Sequence, residues 1–173
     1  MSRTGKAKGM SGDFLADAEK LTAEALVARI RSEIPLTQAM QLGVDHYDGH
    51  RLVLRVPLPP NINDKGTAFA GSITALGSIA GWCLLTLWAE REIGSCQVAV
   101  FDAHFAFRKP LRGDFTATVS LPSPADCKTL KYAVTKRGKG RAVLKITLAD
   151  AEGVATTLNA AYAVWLSEPP AGP

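Results

Sequence analysis

The sequence predicts an α+β fold in which an antiparallel six-stranded sheet is wrapped around a long central helix. Three observations carry this expectation. The run Ile73–Ala89 contains no charged residue, as a helix covered on every side requires. The segments on either side of it alternate apolar and polar residues with the two-residue period of half-buried strands. The order of elements lacks the regular strand–helix alternation of a doubly wound parallel sheet.

Leu21–Ile34 places Leu26, Val27 and Ile30 at helical spacing, and Pro35 ends that helix. Leu36–Met40 adds one more turn. Leu42–His46 and Arg51–Pro57 bracket Asp48-Gly49, a hairpin turn signal. The central helix follows, and Gly77 and Gly81, four apart on one face, let strands approach it closely. In Gln97–Phe107, plain alternation puts Ala99, Phe101, Ala103, Phe105 and Phe107 on one face. Val98, Val100, Asp102 and His104 then fall on the other. Pro110 and Gly113 mark a turn before the strand Asp114–Leu121. Ser123-Pro124-Ala125-Asp126 reads as a capped helix start, with Gly138 as its C-terminal stop. Strands Arg141–Asp150 and Val154–Trp165 turn around Glu152-Gly153.

The 173 residues, 47% hydrophobic and 21% charged, suit one globular domain. The expected boundaries are a flexible N-terminal tail at 1–18, a single domain at 19–168 and a C-terminal tail at 169–173. Arg3, Lys6 and Lys8 supply three of the net +4 charges, which leaves a nearly neutral body and no case for a nucleic-acid partner. Three cysteines without CxxC spacing give neither a disulfide framework nor a zinc site, and the three histidines lack metal-ligand spacing, so no metal is expected. The first thirteen residues lack the apolar core of a secretory signal, and a cytoplasmic location is expected. Thr74, Ser78 and Thr86 interrupt the only long apolar run, so it is expected to be a buried helix and not a membrane span.

The candidate chemistry clusters in NINDKGTAFAGS, Asn61 to Ser72, which opens onto the central helix. Gly71 and Ser72 supply free backbone N–H groups at the first turn, where the helix dipole favours an anion or a developing oxyanion. Asn63 and Asp64 are the candidate groups for orienting or activating water. Asn61, Gly66, Thr67 and Phe69 are candidate substrate contacts. Asp102 and His104, two apart on one strand, form a candidate carboxylate–imidazole pair. Arg108, Lys109 and Arg112 make one basic group, and Lys136, Arg137, Lys139 and Arg141 a second. Of these, Arg108, Lys136 and Arg137 are the candidate phosphate contacts. No GxSxG elbow or Cys–His arrangement supports a covalent hydrolase.

NINDKGTAFAGS, the apolar Gly-Trp helix and FDAHFAFRKPLRGDF together resemble the YiiD-type C-terminal thioesterase domains of the hotdog superfamily, over about Ile34 to Leu166. The resemblance implies a hotdog dimer, or a higher homo-oligomer, that hydrolyses acyl thioesters of coenzyme A or acyl carrier protein at a site between subunits. No cofactor is implied beyond coenzyme A as part of the substrate. Asn63, Gly66, Thr67 and Gly71 match the N-x-x-G-T-x-H-G-G pattern of phenylacetate-type hotdog thioesterases. Phe69 stands where that pattern has His, Ala70 replaces its first Gly, and Ser78 aligns with the acid those enzymes carry on the helix. These departures leave a non-catalytic acyl-thioester or fatty-acid binding module as the alternative. The hydratase signature D-x-x-x-N-P-x-H is absent.

Overall fold

The computed structural model describes residues 12–167. The chain opens with helix α1 (Gly12–Glu33), whose Ala23, Leu26, Val27 and Ile30 are buried. α1 starts at Gly12, upstream of the predicted Leu21. Of the expected tails, 1–11 and 169–173 lie outside the described residues. Pro35 begins the short helix α2 (Pro35–Ala39). There the buried Thr37 hydroxyl donates to the carbonyls of Ile34, at 2.8 Å, and Ile30, at 3.2 Å, tying the two helices together.

Strands β1 (Gly43–Tyr47) and β2 (Arg51–Val56) form the predicted hairpin. Asp48 closes its turn: Oδ1 accepts the N–H groups of His50 at 2.9 Å and Arg51 at 2.6 Å. Partial burial raises its pKa, but these donors outweigh that and hold the carboxyl at about 2. Helix α3 (Ala70–Glu92) follows, then β3 (Cys96–Phe107), β4 (Phe115–Ser120), helix α4 (Pro124–Arg137), β5 (Lys139–Asp150) and β6 (Gly153–Leu166). Ser123 caps α4 by accepting from Asp126 N, and Gly138 ends it in the left-handed region at φ 75°.

All six strands pair antiparallel in the order β1-β2-β4-β5-β6-β3. The sheet curls around α3, with Leu52, Leu54, Ala117, Ile146, Leu158 and Tyr162 fully buried in the core it shares with that helix. Each large side chain removed from water there contributes about 1.5–3 kcal/mol. This is the hotdog arrangement. By length and composition α3 is apolar enough to cross a membrane, but 61% of that window is buried in the fold, which makes it the core helix.

One strand departs from plain alternation. β3 carries a bulge between Val100 and Asp102, with Phe101 as the extra residue. Cross-strand partners share a face, so Val98 and Val100, opposite Val164 and Tyr162, face α3. Beyond the bulge that face passes to Ala103, Phe105 and Phe107. Ala99, Asp102 and His104 lie on the outer face. The expected grouping of Val100 with Asp102 is therefore corrected, because one extra residue reverses every side chain after it.

The cover over α3 is incomplete. Gly71, Thr74, Ala75, Ser78, Ile79 and Trp82 make a half-exposed stripe at helical spacing. β3 is an edge strand of the sheet, with Val100 40%, Phe101 52% and Phe107 50% exposed. A long apolar edge beside an uncovered helix stripe is surface that isolated chains avoid.

Candidate active site at the start of the central helix

The loop before α3 is organised by Asn63. Its Oδ1 accepts from the backbone N–H of Lys65 at 2.9 Å and Thr67 at 3.1 Å. Its Nδ2 donates to Thr67 Oγ1 at 3.0 Å and Ala68 O at 3.3 Å, and its own N–H donates to Thr67 O. Gly66 turns the loop at φ 75°. Asn63, Gly66 and Thr67 thus form one hydrogen-bonded unit, and Asn63 acts by holding the loop in shape. Asn61 lies behind it, 1% exposed, with Nδ2 donating to Pro57 O at 2.7 Å and Met40 O at 3.0 Å. Its buried Oδ1 has no partner. Asn61 anchors the loop from below, away from any approaching substrate.

Phe69 is the residue before the helix, and no side chain caps it. Its N–H bonds Asn61 O and its carbonyl accepts from Ile73 N. The N–H groups of Ala70, Gly71 and Ser72 have no acceptor among the described residues, as the first turn of a helix leaves them. The Phe69 ring, 54% exposed, lies against Gly71, and a Cβ there would run into it. A side chain at Gly71 would therefore displace the ring, which forms an apolar wall along the free N–H groups. Ser78, which aligns with the acid of related sequences, lies on the half-exposed stripe two turns further on.

The crossing from β3 to β4 closes this end of the sheet. Ala68 N donates to Leu111 O, and Arg108 N donates to Ala155 O. Leu111 therefore lies beside the loop before the helix, while Lys109 Nζ donates to Glu152 O at 2.7 Å and Arg112 N to Asp150 Oδ2 at 2.8 Å, both at the turn between β5 and β6. Asp64 is exposed and bonded through both oxygens to Lys65 Nζ, at 3.0 Å each.

Other candidates are elsewhere. Asp102 and His104 sit on the outer face, opposite Ala161 and Asn159, with the sheet between them and α3. Lys136 and Arg137 end α4, beside the last residues of β6. Nine residues of β6 separate that row from Thr156, which pairs with Phe107; this is about 30 Å. The two basic groups therefore cannot form one site within the chain. The Cys83 thiol is pushed up to about 12 by complete burial and is inert as a nucleophile. Among the described residues no three His, Cys, Asp or Glu side chains converge as a metal site would need.

A sheet of this strand order curled around one long central helix defines the chain as a hotdog domain. It belongs to the family described as "Putative thioesterase (yiiD_Cterm)", whose model matches residues 23–166. Among solved structures it is similar to a protein of unknown function from Chlorobaculum tepidum, at 25% identity and a TM-score of 0.80, covering 91% of this chain and 100% of that one. A Shewanella oneidensis protein described as a putative thioesterase matches at 24% identity and a TM-score of 0.70, over 89% of this chain and 99% of that one. The PaaI protein of the E. coli phenylacetic acid degradation operon shares the fold at 10% identity and a TM-score of 0.60, over 83% and 94% of the two chains.

Proposed function

We propose that the protein hydrolyses an acyl thioester of coenzyme A or acyl carrier protein by direct attack of water. It acts as a homodimer whose sites lie at the α3 N-termini beside the subunit interface. The observation that carries this reading is the row of acceptor-free N–H groups at Ala70–Ser72, opening onto the half-exposed stripe of α3, in a member of a thioesterase family.

The thioester oxygen lies against the N–H groups of Gly71 and Ser72. As the water oxygen bonds to the carbonyl carbon, negative charge grows on that oxygen, and these donors with the helix dipole stabilise it. Collapse breaks the carbon–sulfur bond and releases the carboxylic acid and the thiol. Asp64, the carboxylate within the loop, takes the proton from water once substrate displaces Lys65 and passes it to the departing sulfur. The Ser78 hydroxyl orients that water, while Asn63 holds Thr67 and Phe69 in place around the acyl group. Arg108, with Lys109 and Arg112, meets the phosphates of the carrier. Coenzyme A enters only as part of the substrate, and the chemistry calls for no other cofactor. Three free cysteines suit the reducing cytoplasm.

One observation favours a second reading, a non-catalytic acyl-thioester binding module. The Phe69 ring covers the turn where related sequences place an imidazole, and position 78 carries a hydroxyl in place of an acid. A panel of acyl-CoA thioesters of increasing chain length separates the two. Steady release of thiol with at least one substrate supports hydrolysis. Saturable binding without release leaves the binding module, and neither result overturns both.

A further inference from the structure

A second concave site lies on the outer face of the sheet, remote from the start of α3. Arg137, Lys139, Gly140, Arg141, Ala163 and Trp165 line a cavity of about 460 Å³, within the roughly 300–1,000 Å³ typical of ligand pockets. Its construction follows from the pairing of β5 and β6. Lys139 pairs with Trp165 and Arg141 with Ala163, so all four side chains share the outer face. Gly138, in the left-handed region, turns the chain so that Arg137 at the end of α4 stands beside Lys139 at the start of β5. Ala163 leaves a low floor between the Trp165 indole, 38% exposed, and the Arg141 guanidinium.

The charge here is one-sided. Three cations line the cavity with no carboxylate among them, and none has an ion-pair partner among the described residues. Arg137 also offsets the C-terminal dipole of α4, but that role uses neither Lys139 nor Arg141. Arg141 is held in place by the bulge of β3: its Cζ lies 5.1 Å from the centre of the Phe101 ring. The bulge thus turns an aromatic ring outward and fixes a guanidinium at the rim. A fixed guanidinium, two further cations and an exposed indole over a small-residue floor fit one chemistry, a planar base stacked on the indole with its phosphates on the cations.

We infer that this outer-face cavity binds a phosphorylated purine nucleotide. Such a group is available from two sources, a free adenine nucleotide or the nucleotide end of a coenzyme A thioester, and the second would replace Arg108 as the contact for the carrier's phosphates. The inference does not rest on turnover, because binding is measurable whether or not the protein hydrolyses anything.

The test is titration of the full chain with ADP, with coenzyme A and with inorganic phosphate, followed by calorimetry and by tryptophan fluorescence. Trp88 is buried, but Trp82 lies on the half-exposed stripe of α3, so only the part of the quench that Trp165→Phe removes reports this cavity. ADP or coenzyme A should bind saturably and quench, and Trp165→Phe should abolish the quench while weaker calorimetric binding remains. Lys139→Glu and Arg141→Glu should each weaken binding about tenfold or more without changing the melting temperature. Binding at unchanged affinity in both charge variants overturns the inference, as does no binding of either nucleotide up to millimolar concentration. The sources separate in a hydrolysis assay. A KM raised for acyl-CoA but not for a phosphate-free short thioester assigns the site to the substrate's nucleotide. Lost ADP binding with KM unchanged for both assigns it to a free nucleotide. Absence of hydrolysis in the parent removes the thioesterase reading alone, since the titrations still decide the site.

Discussion

The Tyr162 hydroxyl donates a 2.9 Å hydrogen bond to the carbonyl of Ser78 and lies directly over Gly81. The helix and the sheet dock through this pair: a strand tyrosine reaches into the space left by a missing side chain and bonds the helix backbone there. Burial pushes the tyrosine pKa well up, so the hydroxyl stays a neutral donor.

Substitutions at the two helix glycines should therefore differ. A Cβ at Gly81 collides with the tyrosine ring, which the core holds fixed, and Gly81→Ala should cost about 1–3 kcal/mol by overpacking. A Cβ at Gly77 meets Leu158, Phe105 and Leu148 at 3.1–3.4 Å, contacts that small side-chain shifts relieve. Gly77→Ala should lower the melting temperature less. Equal melting temperatures for the two variants and the parent would show that neither glycine is needed for docking.

Asn63 makes four side-chain hydrogen bonds within its loop, so its removal should disturb folding and activity together. Asn63→Ala leaves the N–H groups of Lys65 and Thr67 without their acceptor and should cost about 1–3 kcal/mol. Asn63→Asp keeps that acceptor and should recover part of the loss. Denaturant melts of both variants decide it, and an unchanged midpoint for Asn63→Ala would return Asn63 to a purely chemical role.

The framework was legible where local chemistry and periodicity agree. The charge-free run gave the central helix, Asp48-Gly49 gave a hairpin turn, and Ser123 with Gly138 gave both ends of α4. What escaped depends on contacts distant in sequence. The bulge at Phe101 is set by pairing with β6, and no residue within β3 announces it. Asn61 and Asn63 look alike in the sequence, yet one is buried under the loop and the other organises it. Likewise Arg108 and Arg137 read as one kind of basic group, but the order of the strands sends them to opposite ends of the sheet.

The free β3 edge and the α3 stripe should be covered by a second copy of the chain. Val100 faces the helix side of that edge and is 40% exposed. A charge there faces desolvation in any edge-to-edge dimer, so Val100→Lys should shift the protein from dimer to monomer. Sedimentation of parent and variant gives the answer, and a monomeric parent at micromolar concentration would remove the dimer from the proposal.

The closest test of the chemistry uses the contact between Phe69 and Gly71. In Gly71→Ala the new methyl occupies the place of the ring edge, and the ring, half exposed and anchored only at its base, swings away. Stability should change little, because what moves is the far end of a solvent-facing side chain. Activity should change more, because the ring lines the donors proposed to hold the oxyanion, and a misplaced wall admits water that screens them. We expect Gly71→Ala to lower kcat by roughly 10²-fold, the scale of a compromised oxyanion site. Removing the ring as well relieves the collision, so the Phe69→Ala/Gly71→Ala double variant should lose far less than the product of the two single effects. If Gly71→Ala hydrolyses acyl-CoA like the parent, the carbonyl does not bind at the first turn of α3. If the double variant multiplies the single losses, the ring and the glycine act independently and the steric link between them has no part in catalysis.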